Sequence, residues 1–209
     1  MYAVIKAIVR FALSIAFNLH YEGRENIPKD TAVIYASNHR TNADPPLVGC
    51  ATYGKHAFMA KEELFKNKFF GGLIRSLGAF PVSRGKGDTG IIDKSVEALN
   101  SGRSLFIFPE GTRSKDGKVH KGHSGAALIA ARSGKQIIPV GVVFGEKLKF
   151  RTKVTVTYGK PINPADYCEI CDEPNPRQIV RLKNRYMADI KALVEGEPEK
   201  LKGESASDE

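Results

Sequence analysis

Three stretches of this chain are apolar or nearly so, and too short to be ordinary helices: Ala32–Ala36, Ser104–Phe108 and Gln136–Phe144. Runs of this length and kind read as buried strands. Lys153–Tyr158 alternates as a strand should, Ala57–Ala60 reads as a short strand, and Gly78–Val82 reads as a strand with an edge-type proline. Between them lie segments of helical period. Glu62–Leu77 reads as a helix broken at Gly71-Gly72, and a second helix carries Ile92, Val96 and Leu99 on one face and stops near Gly102. Gly125–Arg132 is a short helix ended by Ser133-Gly134, and Arg177–Val194 places Ile179, Leu182, Tyr186, Ile190 and Leu193 on one side. Buried strands separated by helices predict an α/β layered fold, a mixed, mostly parallel sheet flanked by helices.

A chain of 209 residues suits one such domain. Its net charge of +9 is unevenly spread: residues 195–209 carry about −4, leaving about +13 on the rest. A body this basic attracts anionic partners, whether phosphorylated substrates, anionic lipid or nucleic acid. The acidic tail, 195–209, has little apolar content and is expected to be disordered. Three cysteines, Cys50, Cys168 and Cys171, argue against a disulfide scaffold and for a reducing compartment. Cys168-x-x-Cys171 lacks a second pair or a later histidine, so no metal site is expected there.

The first twenty residues form a separate unit in this reading, with the main domain spanning 21–194. Residues 2–19 are apolar except for Lys6, Arg10, Ser14 and Asn18, spaced by four, which on a helix makes one narrow polar stripe. Two internal cations make membrane spanning costly, by roughly 3 kcal/mol each. The expectation is a membrane-associated amphipathic helix lying in the interface, Lys6 and Arg10 toward headgroups. The competing reading is a helix packed on its own domain. No small-residue cleavage site follows, so a signal peptide is not expected.

Candidate chemistry gathers at strand ends, where a rigid scaffold can hold loops that act. The first strand runs into Asn38-His39-Arg40-Thr41-Asn42-Ala43-Asp44. His39 can take a proton near neutral pH, and Asp44 can orient the ring and stabilise its charged form. Asp44, preceding Pro45-Pro46, is equally suited to cap a helix. The strand 104–108 runs into Phe108-Pro109-Glu110-Gly111-Thr112-Arg113-Ser114. There Glu110 can accept from a polyol hydroxyl, Gly111 allows close backbone approach, and Arg113 can fork onto phosphate. A third block, Gly78-Ala79-Phe80-Pro81-Val82-Ser83-Arg84, sets Arg84 beside a glycine-rich loop that lacks the P-loop pattern. A fourth, Ile137-Ile138-Pro139-Val140, reads first as core and second as a wall for an acyl chain.

In this order, the four blocks resemble the glycerolipid acyltransferase family, most closely the bacterial 1-acylglycerol-3-phosphate acyltransferases. The family's NHx4D pattern stands here as NHRTNAD, followed about seventy residues later by FPEGTRS. Ala60-Lys61-Glu62-Glu63-Leu64 is similar to a family segment whose lysine lies near substrate phosphate. Where the family often shows Phe-Lys-x-Gly, this chain has Val119-His120-Lys121-Gly122, which leaves Lys121 unassigned. The resemblance implies acyl transfer from acyl-CoA or acyl carrier protein to the free hydroxyl of lysophosphatidic acid, at the cytoplasmic face of the cell membrane. His39 would be the base and Asp44 its orienter, as in a triad. Arg84, Arg113 and Lys61 would hold the acceptor phosphate, and Glu110, Gly111 and Thr112 the rest of the acceptor. It implies no covalent intermediate, metal or cofactor beyond the donor.

Other acceptors, such as glycerol-3-phosphate or another lysolipid, fit the same residues. Gly122-His123-Ser124-Gly125-Ala126 also looks like a serine-hydrolase elbow. However, polar Lys115–Lys121 precedes it where a buried strand is required, and every histidine lies before Ser124. A non-catalytic basic protein binding membrane or nucleic acid is the remaining rival. The absence of any nucleic-acid motif speaks against the second form, and no nucleic-acid partner is expected.

Overall fold

The computed structural model describes residues 2–82 and 89–196, without the side chains of Lys61, Phe70 and Thr89. Seven strands form one sheet: β1 (Asn18–Glu22), β2 (Ile34–Ser37), β3 (Lys55–Lys61), β4 (Ala79–Val82), β5 (Arg103–Ile107), β6 (Ile137–Phe144) and β7 (Lys153–Tyr158). Their spatial order is β1-β7-β6-β2-β5-β3-β4. Every pairing is parallel except β6 with β7. The helices are α1 (Tyr2–Ala16), α2 (Asp44–Gly49), α3 (Lys68–Ser76), α4 (Thr89–Asn100), α5 (Gly125–Ser133) and α6 (Pro176–Glu195). The expected mixed, mostly parallel α/β fold is present.

Side chains on the central strands alternate between two cores, as the pleat requires. Ile34, Leu105, Ile107 and Ile137 pack with α5 and α6 residues such as Ile129, Leu182 and Ile190. Tyr35, Phe106, Ile138 and Val140 pack on the other face with Leu47 and Val48 of α2. Ile137, Ile138 and Val140 are fully buried, so the apolar 137–140 block is core and lines no opening.

α2 follows β2 and covers one face, whereas α5 follows β5 and covers the other. The chain therefore leaves two adjacent parallel strands toward opposite faces. Such a divergence opens a crevice at the carboxyl ends of those strands, where α/β sheets bind ligands.

Three local readings are corrected. The helical break expected at Gly71-Gly72 falls earlier: a 3-10 turn spans Glu62–Phe65, and α3 begins after Asn67. The Asn67 side chain accepts from the Phe69 N–H at 3.1 Å, satisfying an open donor of the first turn. The first helix ends at Ala16, and residues 18–22 are an edge strand, which the apolar run of residues 2–19 conceals. Finally, Lys6 turns inward and donates to the Thr52 carbonyl at 2.6 Å. Burial pushes its pKa down. The Ser83–Asp88 loop with Arg84, and the tail from residue 197, lie outside the described residues.

His56 joins α1 to the domain. Its ring stacks on Phe106 at 4.8 Å, Nε2 pairs with Thr52 Oγ1 at 2.7 Å, and Nδ1 pairs with the Tyr2 hydroxyl. Burial, helped by the nearby Lys6 cation, lowers its pKa to about 3. Between pH 6.5 and that value the unfolded chain binds a proton that the folded one refuses. Stability must therefore fall with falling pH across this window, with a slope from His56 approaching 1.4 kcal/mol per pH unit. Urea unfolding from pH 7 to 4 should show this slope reduced in His56→Gln; an unchanged slope would assign the acid sensitivity to other groups.

Candidate active site

β2 ends on a side-chain clamp. Asn38 is buried, and its amide pairs with both backbone groups of Val142: Nδ2 donates to the carbonyl at 3.0 Å, and Oδ1 accepts from the N–H at 2.8 Å. This carries the β2–β6 pairing past the last backbone partner and fixes where the next residue projects. That residue is His39, whose ring stacks on Phe108 at 4.2 Å and stays partly open.

Asp44 is the first residue of α2, and the preceding Ala43 holds the cap position. Its fully buried carboxylate turns back onto the loop that delivered it. Oδ2 accepts from His39 Nδ1 at 2.7 Å, Arg40 N at 2.6 Å and Thr41 N at 2.8 Å. Oδ1 accepts from the Thr41 hydroxyl at 2.8 Å. Four donors converge on this one buried carboxyl. Oδ2 already accepts from two backbone N–H groups, so in its pair with His39 it is Nδ1 that carries the proton and Nε2 that presents its lone pair. The five-residue spacing between His39 and Asp44 works because the loop coils around the carboxylate.

The β5 loop closes against this one. Ser114 N donates to the His39 carbonyl at 2.7 Å, and Arg113 Nη1 donates to Asn42 Oδ1 at 3.1 Å. Gly111, Thr112 and Arg113 are exposed at the rim, with Gly111 at φ +69°, a conformation that favours glycine. Glu110 is placed otherwise than the sequence reading expects. It is buried, and its oxygens accept from His39 N at 3.2 Å and His120 N at 3.1 Å. Glu110 braces three loop segments instead of facing outward to a hydroxyl.

Lys61 closes β3 at the same sheet edge, separated from β2 by β5. Arg40, unassigned in the sequence reading, lies over the Phe144 ring at 3.9 Å and donates to the Phe144 and Gly145 carbonyls at 2.7 and 3.1 Å. It ties the His39 loop to the end of β6. Ser124 follows a non-strand segment and directly precedes α5, so the sharp strand-to-helix elbow of a serine hydrolase is not formed.

The acyltransferase family profile matches residues 18–143, which include the whole His39–Asp44 loop and the Glu110 loop. The chain belongs to the acyltransferase family. Among its relatives, a 1-acyl-sn-glycerol-3-phosphate acyltransferase of Streptococcus pneumoniae is 37% identical over 202 residues, covering 93% of this chain and 73% of that protein. The enzyme of the same name in Bacillus subtilis is 28% identical over 198 residues, covering 92% and 96% respectively. The crystal structure of PlsC from Thermotoga maritima, a 1-acyl-sn-glycerophosphate acyltransferase, superposes with a TM-score of 0.76 at 27% identity. It covers 97% of this chain and 80% of that one. This acyltransferase thus shares its architecture with a lipid-modifying enzyme across nearly its whole length.

Phe108, Thr41 and Asn38 are parts of the site whose roles sequence reasoning missed. All three lie inside the two motifs, so proximity marked them. Asn38 and Phe108 touch residues distant in sequence, whereas Thr41 meets Asp44 within its own motif.

Proposed function

We propose that this protein is a 1-acyl-sn-glycerol-3-phosphate acyltransferase, moving a fatty acyl group from a thioester donor to the free hydroxyl of lysophosphatidic acid and yielding phosphatidic acid. The observation that carries the reading is the 2.7 Å pair between His39 Nδ1 and buried Asp44, at the open end of β2 beside Arg113. His39 Nε2 takes the hydroxyl proton as the oxygen attacks the thioester carbonyl. Asp44 stabilises the resulting imidazolium, and the proton passes to the departing thiolate. Arg113 at the rim supplies charge for the acceptor phosphate, with Lys61 and Arg84 as the further ligands the family motifs suggest. Gly111 and Thr112 line the acceptor's path. Glu110 contributes by holding the His39 backbone in place.

The donor is acyl-CoA or acyl carrier protein, both acidic, as suits a body of about +13. The decisive assay measures free thiol released from each donor with and without lysophosphatidate. Release that requires the acceptor supports the transferase. Release by water alone would make the protein a hydrolase, and a better response to another lysolipid or to glycerol-3-phosphate would move the acceptor assignment.

The enzyme meets its lipid at the membrane surface through α1, on the cytoplasmic face. Among the described residues no helix is long and apolar enough to cross a membrane. Val4, Ile8, Phe11 and Ile15 are all exposed and recur at helical spacing, making an apolar stripe on the outer side of α1. The inner side is pinned by Tyr2 and Lys6, and Leu13 packs on the core. Such a stripe suits insertion to headgroup depth. Phe11→Asp with Ile15→Asp should weaken partitioning onto anionic phospholipid vesicles by about a hundredfold, each lost side chain removing roughly 1.5 kcal/mol or more. Equal sedimentation of variant and parent with vesicles would refute the anchor.

A further inference from the structure

Lys121, left without a role by the sequence, opens onto a cleft distinct from the His39 crevice. The segment 119–122 lies along α6, and between them is a cavity of about 330 Å³ walled in part by Lys121, Lys183 and Lys191. Gly122 makes the approach possible: a Cβ there would stand 2.5 Å from Met187 Sδ. Lys191 is partly engaged by Glu195 at 3.8 Å, and the His120 ring is held by Asp116 at 2.9 Å. Among the described residues neither Lys121 nor Lys183 has an ion-pair partner. Two unpaired ammonium groups in a concave site suit an anion.

The cleft is tied to the reaction centre through one side chain. Glu110 accepts from His39 N with one oxygen and from His120 N, next to Lys121, with the other. This placement discriminates between the two substrates' phosphates. In lysophosphatidate the phosphate is only a few bonds from the reacting hydroxyl, so its ligands must lie beside His39, where Arg113 is. In a phosphopantetheine thioester the whole pantetheine arm separates the carbonyl from the phosphate. The lining of the basic cleft includes no residue of the His39–Asp44 loop or of residues 108–114, which matches the second geometry.

We propose that the cleft between residues 119–122 and α6 binds the pantetheine-linked phosphate of the acyl donor, with Lys121 and Lys183 as its direct ligands. The proposal rests on the thioester-donor reading above. The shared chemistry is a phosphate on pantetheine, present in both coenzyme A and carrier protein.

The test compares the wild-type enzyme with the Lys121→Ala/Lys183→Ala double variant on S-acyl-pantetheine, S-acyl-4′-phosphopantetheine, acyl-CoA and acyl carrier protein. For the phosphate-bearing donors, kcat/KM relative to S-acyl-pantetheine should fall in the variant on the order of tenfold or more. An unchanged ratio overturns the proposal. A loss seen with acyl-CoA but not with S-acyl-4′-phosphopantetheine also overturns it, since it would put the nucleotide in the cleft. A loss confined to acyl carrier protein overturns it in favour of a protein-docking surface. Calorimetric titration with coenzyme A alone needs no turnover, and the variant should bind at least tenfold more weakly; equal affinity overturns the cleft. Tight binding by the wild type, lost in the variant, in an enzyme that transfers nothing to lysophosphatidate would retain the cleft and remove the acceptor assignment.

Discussion

His39→Ala should lower kcat/KM for acyl transfer by about a thousandfold or more while leaving the fold in place. The ring is a rim group, stacked on Phe108 and bonded to Asp44. Its removal takes away the Nε2 lone pair assigned as the base. The loss in stability should be small, about 1–2 kcal/mol, because the Asp44 carboxylate keeps Arg40 N, Thr41 N and the Thr41 hydroxyl as partners. Steady-state transfer assays beside thermal unfolding separate the two effects. Turnover at the parent rate would end the general-base mechanism, since no other described histidine ring pairs with a buried carboxylate.

Asp44→Asn should injure both activity and stability. The side chain keeps its shape but replaces one acceptor oxygen by a donor. If that amide nitrogen takes the Oδ2 position, it faces three N–H groups: those of His39, Arg40 and Thr41. If it takes the Oδ1 position, the Thr41 hydroxyl must turn, and the imidazolium loses its counter-charge. His39 relieves its own part of the first clash by moving its proton from Nδ1 to Nε2, which extinguishes the base, while the Arg40 and Thr41 N–H groups stay opposed to the amide. A rate loss of roughly 10³–10⁴ is expected from the tautomer effect. Because the site is fully buried, a destabilisation of about 2–4 kcal/mol should accompany it. The pair of variants is therefore diagnostic: His39→Ala loses rate with little stability, whereas Asp44→Asn loses both. If Asp44→Asn has the parent's urea midpoint, the carboxylate is not the hub of the loop.

Apolar pattern made much of this fold legible. Leu105, Phe106 and Ile107 are in a run five residues long that can only be a buried strand, and Ile179, Leu182, Tyr186 and Ile190 recur at helical spacing over a long amphipathic stretch. The limits of that reading are equally specific. Asn18–Glu22 joins the sheet edge beside β7, a partner more than 130 residues away, so nothing local distinguishes it from the end of the apolar first helix. The α3 boundary is hidden in the sequence because the Asn67 cap depends on side-chain geometry, whereas Gly71-Gly72 stand inside the helix. In the site, His39 and Asp44 were readable because both partners lie in one seven-residue motif. The bracing by Glu110 is not legible in the sequence because its second partner is a backbone N–H, that of His120, and any residue type presents one.

The sequence by itself determined the alternating α/β framework, the His39–Asp44 pair, and the basic body. These follow from periodicity, residue chemistry and short-range spacing, which a linear chain displays directly. Only the tertiary structure decided that Lys6 turns inward and leaves an apolar stripe outside, that Glu110 braces the His39 and His120 backbones, and that Lys121 and Lys183 line one cleft. Each of these depends on which backbone amide, carbonyl or charge arrives from a distant strand or helix. A side chain's role is set by the neighbours that desolvate or satisfy it, and those neighbours are chosen by packing.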